Sequence, residues 1–506
     1  MCCNRTWWGR DSPLVPDAPS TYIPGMEQIP FAFDNSYARL PPHFFQRVDP
    51  TPVAEPKLIE VNRALAEELG IDPDKLTAAM LAGNEVPFGA EPLAMAYAGH
   101  QFGYFVPQLG DGRAILLGEV IDRNGRRRDI QLKGSGLTAF SRRGDGRAAL
   151  GPVLREYLVG EAMAAFGIPT TRALAAAATG QPVLRETALP GAVLTRVAAS
   201  HLRVGTFQFF AAREDTGGVR ALADYAIARH YPEAAEAVHP YRAFLQAVVE
   251  RQAALIAQWQ RVGFIHGVMN TDNCSIAGET IDFGPCAFMD GFDPNKVFSS
   301  IDEGGRYAYN NQPRMAQWNL FRLAECLLPL LAEDQDAAVA EAEIALERYA
   351  PAFEEAYLAA LRGKLGLLTE QPGDMDLAQD LLKLMAADEA DFTITFRRLG
   401  DESIRSLFAD KAGIDDWLTR WQIRLVQEPG RDEERRAVMR RANPAIIPRN
   451  HRIEAVIRAA VDNEDFTPFR EMLAALKDPT GDHPEFALYE QPPRTEELVL
   501  RTFCGT

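Results

Sequence analysis

Residues 92–136 constrain the fold most, because they alternate apolar segments with tight turns before the chain becomes strongly helical. A Gly-Asp-Gly turn precedes a predicted strand at 114–121, and an Asn-Gly turn separates this strand from a second one at 128–133. Asn-Gly between two apolar runs is a strong signal of a β-hairpin. A Gly-rich loop then leads into a helix that begins near Pro152, and residues 183–198 predict two further strands.

Helical periodicity dominates after about residue 205. The clearest helical segments are 241–264, 317–331 and 337–367. Upstream of the strands, the apolar spacing of 56–71 predicts a short helix that ends at Gly70. A strand-rich segment with one embedded helix, followed by a helical segment, predicts an α+β fold with two lobes of the protein-kinase type.

The predicted organisation has five parts. They are a disordered extension at 1–30, an N-terminal wrap at 31–91, a nucleotide-binding N-lobe at 92–205, a C-lobe with the metal and catalytic loop at 206–374, and a C-terminal helical region with a tail at 375–506. The first 25 residues differ in composition from the rest, which makes Met26 an alternative start.

Composition argues against several classes of function. The formal net charge of −17 disfavours nonspecific nucleic-acid binding, which needs a cationic surface. No apolar run approaches the roughly 18 residues of a transmembrane helix. No secretory signal is evident, so a cytoplasmic protein without a membrane partner is expected. The six cysteines show neither metal-ligand spacing nor a disulfide pattern, and a monomer is expected.

Cations are concentrated between Arg113 and Arg147, in a chain that is acidic overall. A basic segment of this kind suits a small polyanion such as a nucleotide. For Arg126–Arg128 alone, a solvated surface hairpin is the preferred interpretation.

The segment "HGVMNTDNCSIAGETIDFGP", residues 266–285, carries oxygen ligands suited to a divalent cation. We predict a two-stranded hairpin that turns at Gly278 and places Asn273 beside Asp282. Most kinase-like phosphotransferases keep a catalytic aspartate two residues after the loop histidine, and this chain has Val268 there. His266 is therefore expected to brace the loop.

Lys133 lies at the end of the predicted strand 128–133, where its ammonium group can reach a phosphate. Glu156, on the following helix, is expected to pair with it, as in kinases. The alternative is that the two are unrelated surface charges.

Two Gly-flanked loops and two arginines complete the set of candidates. "LGDGRA" (109–114) and "RRGDG" (142–146) could bind an anion through backbone amides, or could simply be hairpin turns. Arg196 and Arg203 are seven residues apart and would share one face of a helix. They could bind phosphate bidentately or form surface ion pairs.

Together these segments identify the family that the chain resembles. "FDNSYARLP", "YAGHQFGYFVPQLGDGRAILLGE", "QLKGSGLTAFSRRGDGRAAL", "LREYLVGEAM", "GRYAYNNQP" and "NPAIIPRNHRIEAV", with the segment at 266–285, resemble the selenoprotein O (YdiU) family over almost the whole chain. The resemblance implies a kinase-like fold that transfers AMP from ATP to hydroxyl side chains of proteins. It also implies that ATP binds in a flipped orientation, and that Mg²⁺ or Mn²⁺ is required.

The same resemblance implies roles for individual residues. Asp272 would be the general base, and Asn273 and Asp282 would hold the metal. The residues implied to bind ATP are Gly110, Gly112, Arg113, Lys133, Asp145, Gly146, Arg196, Arg203 and Asp282, with Glu156 positioning Lys133. The alternatives are a conventional transfer of the γ-phosphate and an inactive nucleotide-binding scaffold.

Cys504 occupies the position of the cysteine or selenocysteine that family members carry near the C-terminus. Some members pair it with a cysteine in the loop after Asp-Phe-Gly, where this chain has Phe298. Cys286 could substitute, but a buried structural thiol is the preferred interpretation.

Overall fold

The computed structural model describes residues 30–503, so the predicted extension at 1–30 lies almost entirely outside the described residues, as does Cys504. The fold is mixed α+β, with an antiparallel sheet in the N-terminal half and most helices in the C-terminal half. The strands are β1 Phe45–Arg47, β2 Lys57–Val61, β3 Leu93–Met95, β4 Gly99–Gln101, β5 Tyr104–Val106, β6 Ala114–Ile121, β7 Arg127–Lys133, β8 Ala148–Ala149, β9 Arg172–Leu184, β10 Ala188–Ala198, β11 Phe264–Ile265 and β12 Ala287–Phe288.

The helices alternate with these strands at first and then follow one another. They are α1 Arg63–Glu68, α2 Ala78–Ala82, α3 Leu150–Ala165, α4 Val204–Ala211, α5 Thr216–His230, α6 Pro240–Arg261, α7 Gln312–Leu331, α8 Gln335–Leu346, α9 Tyr349–Leu365, α10 Asp374–Ala387, α11 Phe392–Arg397, α12 Lys411–Leu425, α13 Asp432–Ala442, α14 Asn450–Asn463, α15 Thr467–Leu476 and α16 Ala487–Glu490.

The large sheet has the strand order β1-β3-β6-β7-β10-β9-β2, with β8 paired to β10. The predicted hairpin at its centre is confirmed, since Ala114 pairs with Lys133 and Ile121 pairs with Arg127. Asp122 closes the turn by accepting hydrogen bonds from the amides of Asn124 and Arg126, each at 2.9 Å. Lys133 is thereby fixed at one end of a central strand.

Two local predictions are wrong. The segment 56–71 begins with strand β2, and only Arg63–Glu68 is helical. Of the two strands predicted within 183–198, β10 is confirmed, but β9 begins at Arg172, well before that segment. Its alanines, including Ala175 and Ala176, are buried in the sheet, and tertiary packing overrides the helical preference of alanine there.

One hydrophobic core joins the sheet to the helices. It includes Leu158 of α3, Leu194 of β10, Phe207 of α4 and Leu320 of α7. A second core forms among the C-terminal helices around Trp417. Within residues 30–503, no helix has both the length and the apolar character required to cross a bilayer.

The end of the described chain packs on the loop that follows the Asp-Phe-Gly segment. The Thr502 amide donates to the Phe298 carbonyl at 2.8 Å, and the Ser300 amide donates to the Thr502 carbonyl at 3.0 Å. Phe298 and Thr502 are both buried. This loop and the tail are therefore joined through backbone hydrogen bonds at Phe298, the position where some members of the resembled family have a cysteine.

Arg229 connects helix α5 to the sheet through two buried acids. Its guanidinium lies 2.6 Å from Asp129 Oδ1 and 3.2 Å from Glu119 Oε2. We expect Arg229→Met to lower the free energy of unfolding by about 3–5 kcal/mol, because it removes the only arginine paired with the buried Asp129 within residues 30–503 and leaves Glu119 with Arg127 alone. Urea unfolding measures this loss. Arg39→Met, which breaks an exposed pair with Asp34, should cost less than about 1 kcal/mol. Equal losses in the two variants would contradict the prediction.

Candidate functional site

The carboxylate of Asp282 is the centre of an ion-pair cluster. Its Oδ1 lies 2.9 Å from Lys133 Nζ and 2.6 Å from Arg196 Nη1. Its Oδ2 lies 3.0 Å from Arg203 Nη1. Burial opposes ionisation of Asp282, but the three cations outweigh that effect and hold the pKa of its carboxyl well below the usual range.

Two of the three cations lie on neighbouring strands of the sheet, and the third precedes a helix. Lys133 ends β7, and Arg196 lies on the neighbouring strand β10, opposite Gln131. Arg203 follows β10 and forms the N-cap of α4. The segment between Arg196 and Arg203 is not a helix, so the face that the two residues would share in a helix does not form. The two guanidiniums nevertheless meet, because the chain turns after β10 and brings both to Asp282.

Glu156 of helix α3 supplies the second carboxylate of the cluster. It lies 2.5 Å from Lys133 Nζ, so the two residues are paired as predicted. It also lies 3.4 Å from Arg196 Nη1. Three cations and two carboxylates leave a formal excess of one positive charge, which favours the approach of a polyanion.

The loop that carries the expected metal ligands is not a two-stranded hairpin, which corrects the prediction. Ser275 bridges to Arg203, and Thr280 bridges in parallel to Thr170. The two arms of the loop thus pair with different segments, although Gly278 does form a turn with φ of 73°. Asp282 itself has φ of 62°, a left-handed conformation that aspartate tolerates better than most residues.

His266 braces this loop, as predicted. Its Nε2 lies 2.9 Å from the Ile281 carbonyl, and the Val268 amide donates to its Nδ1 at 3.3 Å. Nε2 therefore carries the proton. Burial lowers the pKa of His266, which keeps the ring neutral. The ring also stacks on Trp259, with centroids 5.3 Å apart.

Asp272 lies in a short 3₁₀ turn, Thr271–Asn273, next to the cluster. Arg203 connects the two, since its Nη1 donates to the Asp272 carbonyl at 2.6 Å. Gln101 Nε2 donates to Oδ2 at 3.3 Å, while Oδ1 is buried without a hydrogen-bond partner. Burial raises the pKa of Asp272 to about 6. A carboxylate with one unpartnered buried oxygen and a raised pKa is well suited to accept a proton.

The remaining oxygen donors fit a hard divalent cation. The Nδ2 of Asn273 donates to the Val268 carbonyl at 3.0 Å, which anchors the amide and leaves its carbonyl oxygen as a possible ligand. Asp282 contributes two ionised oxygens, at present paired with cations. Within residues 30–503, no group of three or more His, Cys, Asp or Glu side chains could hold a metal alone. A cation here would need additional oxygens from phosphate and water.

The loop that contains Gly110, Gly112 and Arg113 lies beside Lys133, because the Gly134 amide donates to the Arg113 carbonyl at 2.7 Å. Gly110 has φ of 74°, and a Cβ there would lie 2.2 Å from the Phe140 ring. A larger residue would therefore displace the loop.

The second Gly-flanked loop contacts the segment that follows Lys133, where Ser135 bridges to Arg147. Gly146 has φ of 70°, and its carbonyl accepts from the Gly136 amide at 3.0 Å. Asp145 is paired with Arg185 at 2.9 Å and does not join the ion-pair cluster. Burial acts against ionisation of Asp145, but Arg185 and the Arg147 amide lower its pKa.

Several residues of the site were not predicted. Gln131 Oε1 accepts from Arg196 at 2.5 Å, and its Nε2 donates to Asp111 at 3.1 Å. Burial raises the pKa of Asp111 to about 6. The Tyr97 ring lies 4.5 Å from the Arg203 guanidinium. Each of these residues belongs to a motif that is recognisable in the sequence, but only the fold shows that their side chains support the arginines.

The thiols of Cys274, Cys286 and Cys326 are buried, and Cys286 is completely inaccessible to solvent. This confirms the interpretation of Cys286 as a structural thiol. Phe298 is also buried.

Similarity to known proteins covers nearly the whole chain. A family model described as "Protein adenylyltransferase SelO" matches residues 27–477. Proteins named "Protein nucleotidyltransferase YdiU" from Rhodopseudomonas palustris (strain BisB18) and Bradyrhizobium sp. (strain ORS 278) are each 65% identical over 489 residues, which is 94% of this chain and 100% of the relative. A protein of the same name from Methylorubrum extorquens is 65% identical over 494 residues, which is 94% of this chain and 99% of the relative.

The raised pKa of Asp272 predicts a pH-dependent cost to stability. Its folded-state pKa of about 6 exceeds the ordinary value of 3.8, so the penalty is absent at low pH and develops as pH rises through this interval. At pH 7.5 we expect the free energy of unfolding of Asp272→Asn to exceed that of the native chain by roughly 2–3 kcal/mol. At pH 3.5 we expect this difference to disappear. Chemical unfolding measures this difference, in the presence of EDTA so that no divalent cation binds the site.

Asp145→Asn is the control, because pairing with Arg185 lowers the pKa of Asp145 and its stabilising effect has the opposite sign. That variant should be less stable than the native chain at pH 7.5 and approach it at low pH. If Asp272→Asn is less stable than the native chain at pH 7.5, burial of the ionised Asp272 carboxylate does not lower the free energy of unfolding, and the prediction is wrong.

Proposed function

The chain belongs to the SelO family of protein adenylyltransferases, and on that premise we propose how its site carries out the transfer. ATP and a protein are the two substrates of such an enzyme. We propose that the acceptors are Ser, Thr and Tyr hydroxyls and that AMP is transferred with release of pyrophosphate. The observation that carries the proposal is the Asp272 carboxylate, buried with an unpartnered Oδ1 and connected through Arg203 to the Asp282 cluster.

In this mechanism the acceptor hydroxyl is the nucleophile. Its oxygen attacks the α-phosphorus of ATP while Asp272 accepts its proton, and the bond from the α-phosphorus to the oxygen that bridges to the β-phosphorus breaks. Pyrophosphate leaves with that electron pair. The reaction therefore needs ATP in a flipped orientation, with the α-phosphorus nearest the acceptor.

The ion-pair cluster supplies the positive charge that this reaction requires. Arg196 and Arg203 are buried, and Glu156 fixes the partly buried Lys133 in place. We propose that Arg113, Gly110, Gly112, Asp145 and Gly146 complete the nucleotide site from the two loops that flank Lys133. Guanidiniums and backbone amides fixed before the reaction can stabilise charge on the triphosphate without reorganising.

Asn273 and Asp282 are the residues that would hold Mg²⁺ or Mn²⁺. When bound, such a cation would neutralise phosphate charge and favour departure of pyrophosphate. A bilobal kinase-like arrangement is also supported by the order of a sheet-rich half before a helical half, by the Lys133–Glu156 pair and by the Asp-Phe-Gly loop. In that arrangement Val268, buried and apolar, stands where a kinase would place its catalytic aspartate.

Position-specific labelling of ATP tests which phosphorus is attacked. We expect ³²P from the α-phosphate of ATP to become covalently attached to the enzyme or an added protein acceptor, and ³²P from the γ-phosphate to be released as pyrophosphate. Denaturing gels and thin-layer chromatography measure the two products. Covalent label from the γ-position alone would indicate phosphotransfer, and binding of ATP without any label would indicate an inactive scaffold.

Asp282→Ala tests the assignment of the metal-binding oxygens. We expect transfer to fall by about 100-fold or more, because the variant loses both a metal ligand and the anchor of three cations. Initial rates across a titration of MgCl₂ or MnCl₂ measure this. Asp380→Ala is the control, since Asp380 also pairs with two cations, Lys383 and Arg420, but on the exposed surface. Metal-stimulated transfer by Asp282→Ala at the native rate would refute the assignment.

A further inference from the structure

Two adjoining cavities form where helix α6 faces the turn between α3 and β9. Their volumes are about 590 and 320 Å³, and both are lined by Gly167, Pro169 and Glu279. Neither is lined by Asp272 or Asp282, so they lie outside the nucleotide site. We refer to the two cavities together as the arginine groove.

The groove has an excess of positive charge. Five arginines contribute to its walls: Arg126, Arg128, Arg172, Arg251 and Arg261. Only two acids do so, Glu68 and Glu279. The chain as a whole has a formal charge of −17, so this local excess of cations selects for an anionic ligand.

In the smaller cavity, acidic side chains compensate most of the arginine charge. Arg172 pairs with Glu161 at 2.6 Å, and Arg128 pairs with Asp122 at 3.0 Å. Glu279 is engaged on this side, since its Oε2 accepts from the Ala199 amide at 2.8 Å and its Oε1 lies 3.6 Å from Arg128. Among the arginines of the smaller cavity, only the exposed Arg126 lacks an acidic partner within residues 30–503, so more of the uncompensated charge is in the larger cavity.

Arg261 contributes one of the two uncompensated charges of the larger cavity. It donates to Gln258 Oε1 at 2.6 Å, to the Phe166 carbonyl at 2.9 Å and to the Ala442 carbonyl at 3.5 Å. Within residues 30–503, no carboxylate lies within ion-pair distance of Arg261. Burial lowers the pKa of Arg261 to about 10, as expected for a cation without a counter-ion.

Arg251 lies ten residues earlier on the same helix. It donates to the Ala277 carbonyl at 3.4 Å and to the His230 carbonyl at 3.3 Å, and its guanidinium lies 4.2 Å from the Tyr231 ring centroid. It too has no acidic partner in the part of the chain that the structure describes. The larger cavity is thus bordered by two arginines whose partners are all uncharged.

A buried lysine, Lys364, is also affected by the charge of Arg261. Its side-chain nitrogen lies 4.1 Å from the Phe396 ring centroid and 5.0 Å from that of Phe392. Burial lowers its pKa, and the charge of Arg261 lowers it further. An anion bound at Arg261 would oppose the second effect.

We propose that the arginine groove binds a small phosphorylated molecule. Arg261 would hold the phosphate, since a guanidinium group matches phosphate oxygens in pairs, and Arg251, ten residues earlier on α6, would add positive charge to the same cavity. The side chains of Phe166 and Leu255 would contact an apolar or ring portion of the ligand. A volume of about 590 Å³ is within the range of small-molecule sites.

Phenyl phosphate combines the two chemical features and is the probe. Its binding to the full chain is measured by saturation-transfer NMR, with saturating Mg²⁺ and α,β-methylene-ATP, which occupies the nucleotide site without transferring AMP. We expect the probe to remain bound, and we expect phenol, which lacks the anion, to bind at least about 10-fold more weakly. We expect Arg261→Gln and Arg251→Gln each to weaken binding of phenyl phosphate by about 10-fold or more.

Arg242→Gln is the matched control. Arg242 lies on the same helix but pairs with Glu341 at 2.8 Å and does not line either cavity, so its variant should bind the probe normally. Thermal unfolding verifies that each variant is folded, and the exposed Arg251 provides the test if Arg261→Gln is unstable. Displacement of the probe by α,β-methylene-ATP, equal binding of phenol, or unchanged binding by both groove variants would overturn the proposal.

Discussion

The site depends on one carboxylate, that of Asp282, which lies within 3.0 Å of three cations from different segments of the chain. Lys133, Arg196 and Arg203 are separated in sequence and could repel one another if they were brought together alone. Asp282 and Glu156 compensate two of the three charges, so the cations can remain largely buried while one positive charge stays in excess. That balance leaves positive charge at the site, as the proposed binding of a triphosphate requires.

The position of Asp282 is in turn fixed by the backbone around it. Thr280 donates through its amide and its hydroxyl to the Pro169 carbonyl, at 2.9 and 3.0 Å. Trp259 donates to the Thr280 hydroxyl at 2.9 Å, and His266 binds the Ile281 carbonyl. These contacts hold the two residues before Asp282, and they explain how a left-handed aspartate is retained at this point.

The sequence predicts those parts of the site whose geometry is local. The Asn-Gly turn fixes the β6–β7 hairpin, so the position of Lys133 follows from its own segment. The pair with Glu156 was also predictable, because each residue occupies the element expected for it. The pairing of Ser275 with Arg203 was not, since an isolated extended residue has no turn or period that identifies its partner. The alanines of β9 were missed for a related reason, because burial in the sheet decides their conformation.

The segment "YAGHQFG" is best understood through the environment it gives Asp272. A Cβ at Gly99 would lie 2.5 Å from Asp272 Oδ1, and a Cβ at Gly205 would lie 2.1 Å from the Ala98 carbonyl. Strand β4 can therefore cover the carboxylate only because both positions are glycine. That cover removes Asp272 from water and raises its pKa to about 6. These glycines thus bear on the basicity of the carboxylate, a role that differs from the contact with phosphate usually inferred for glycine near a nucleotide.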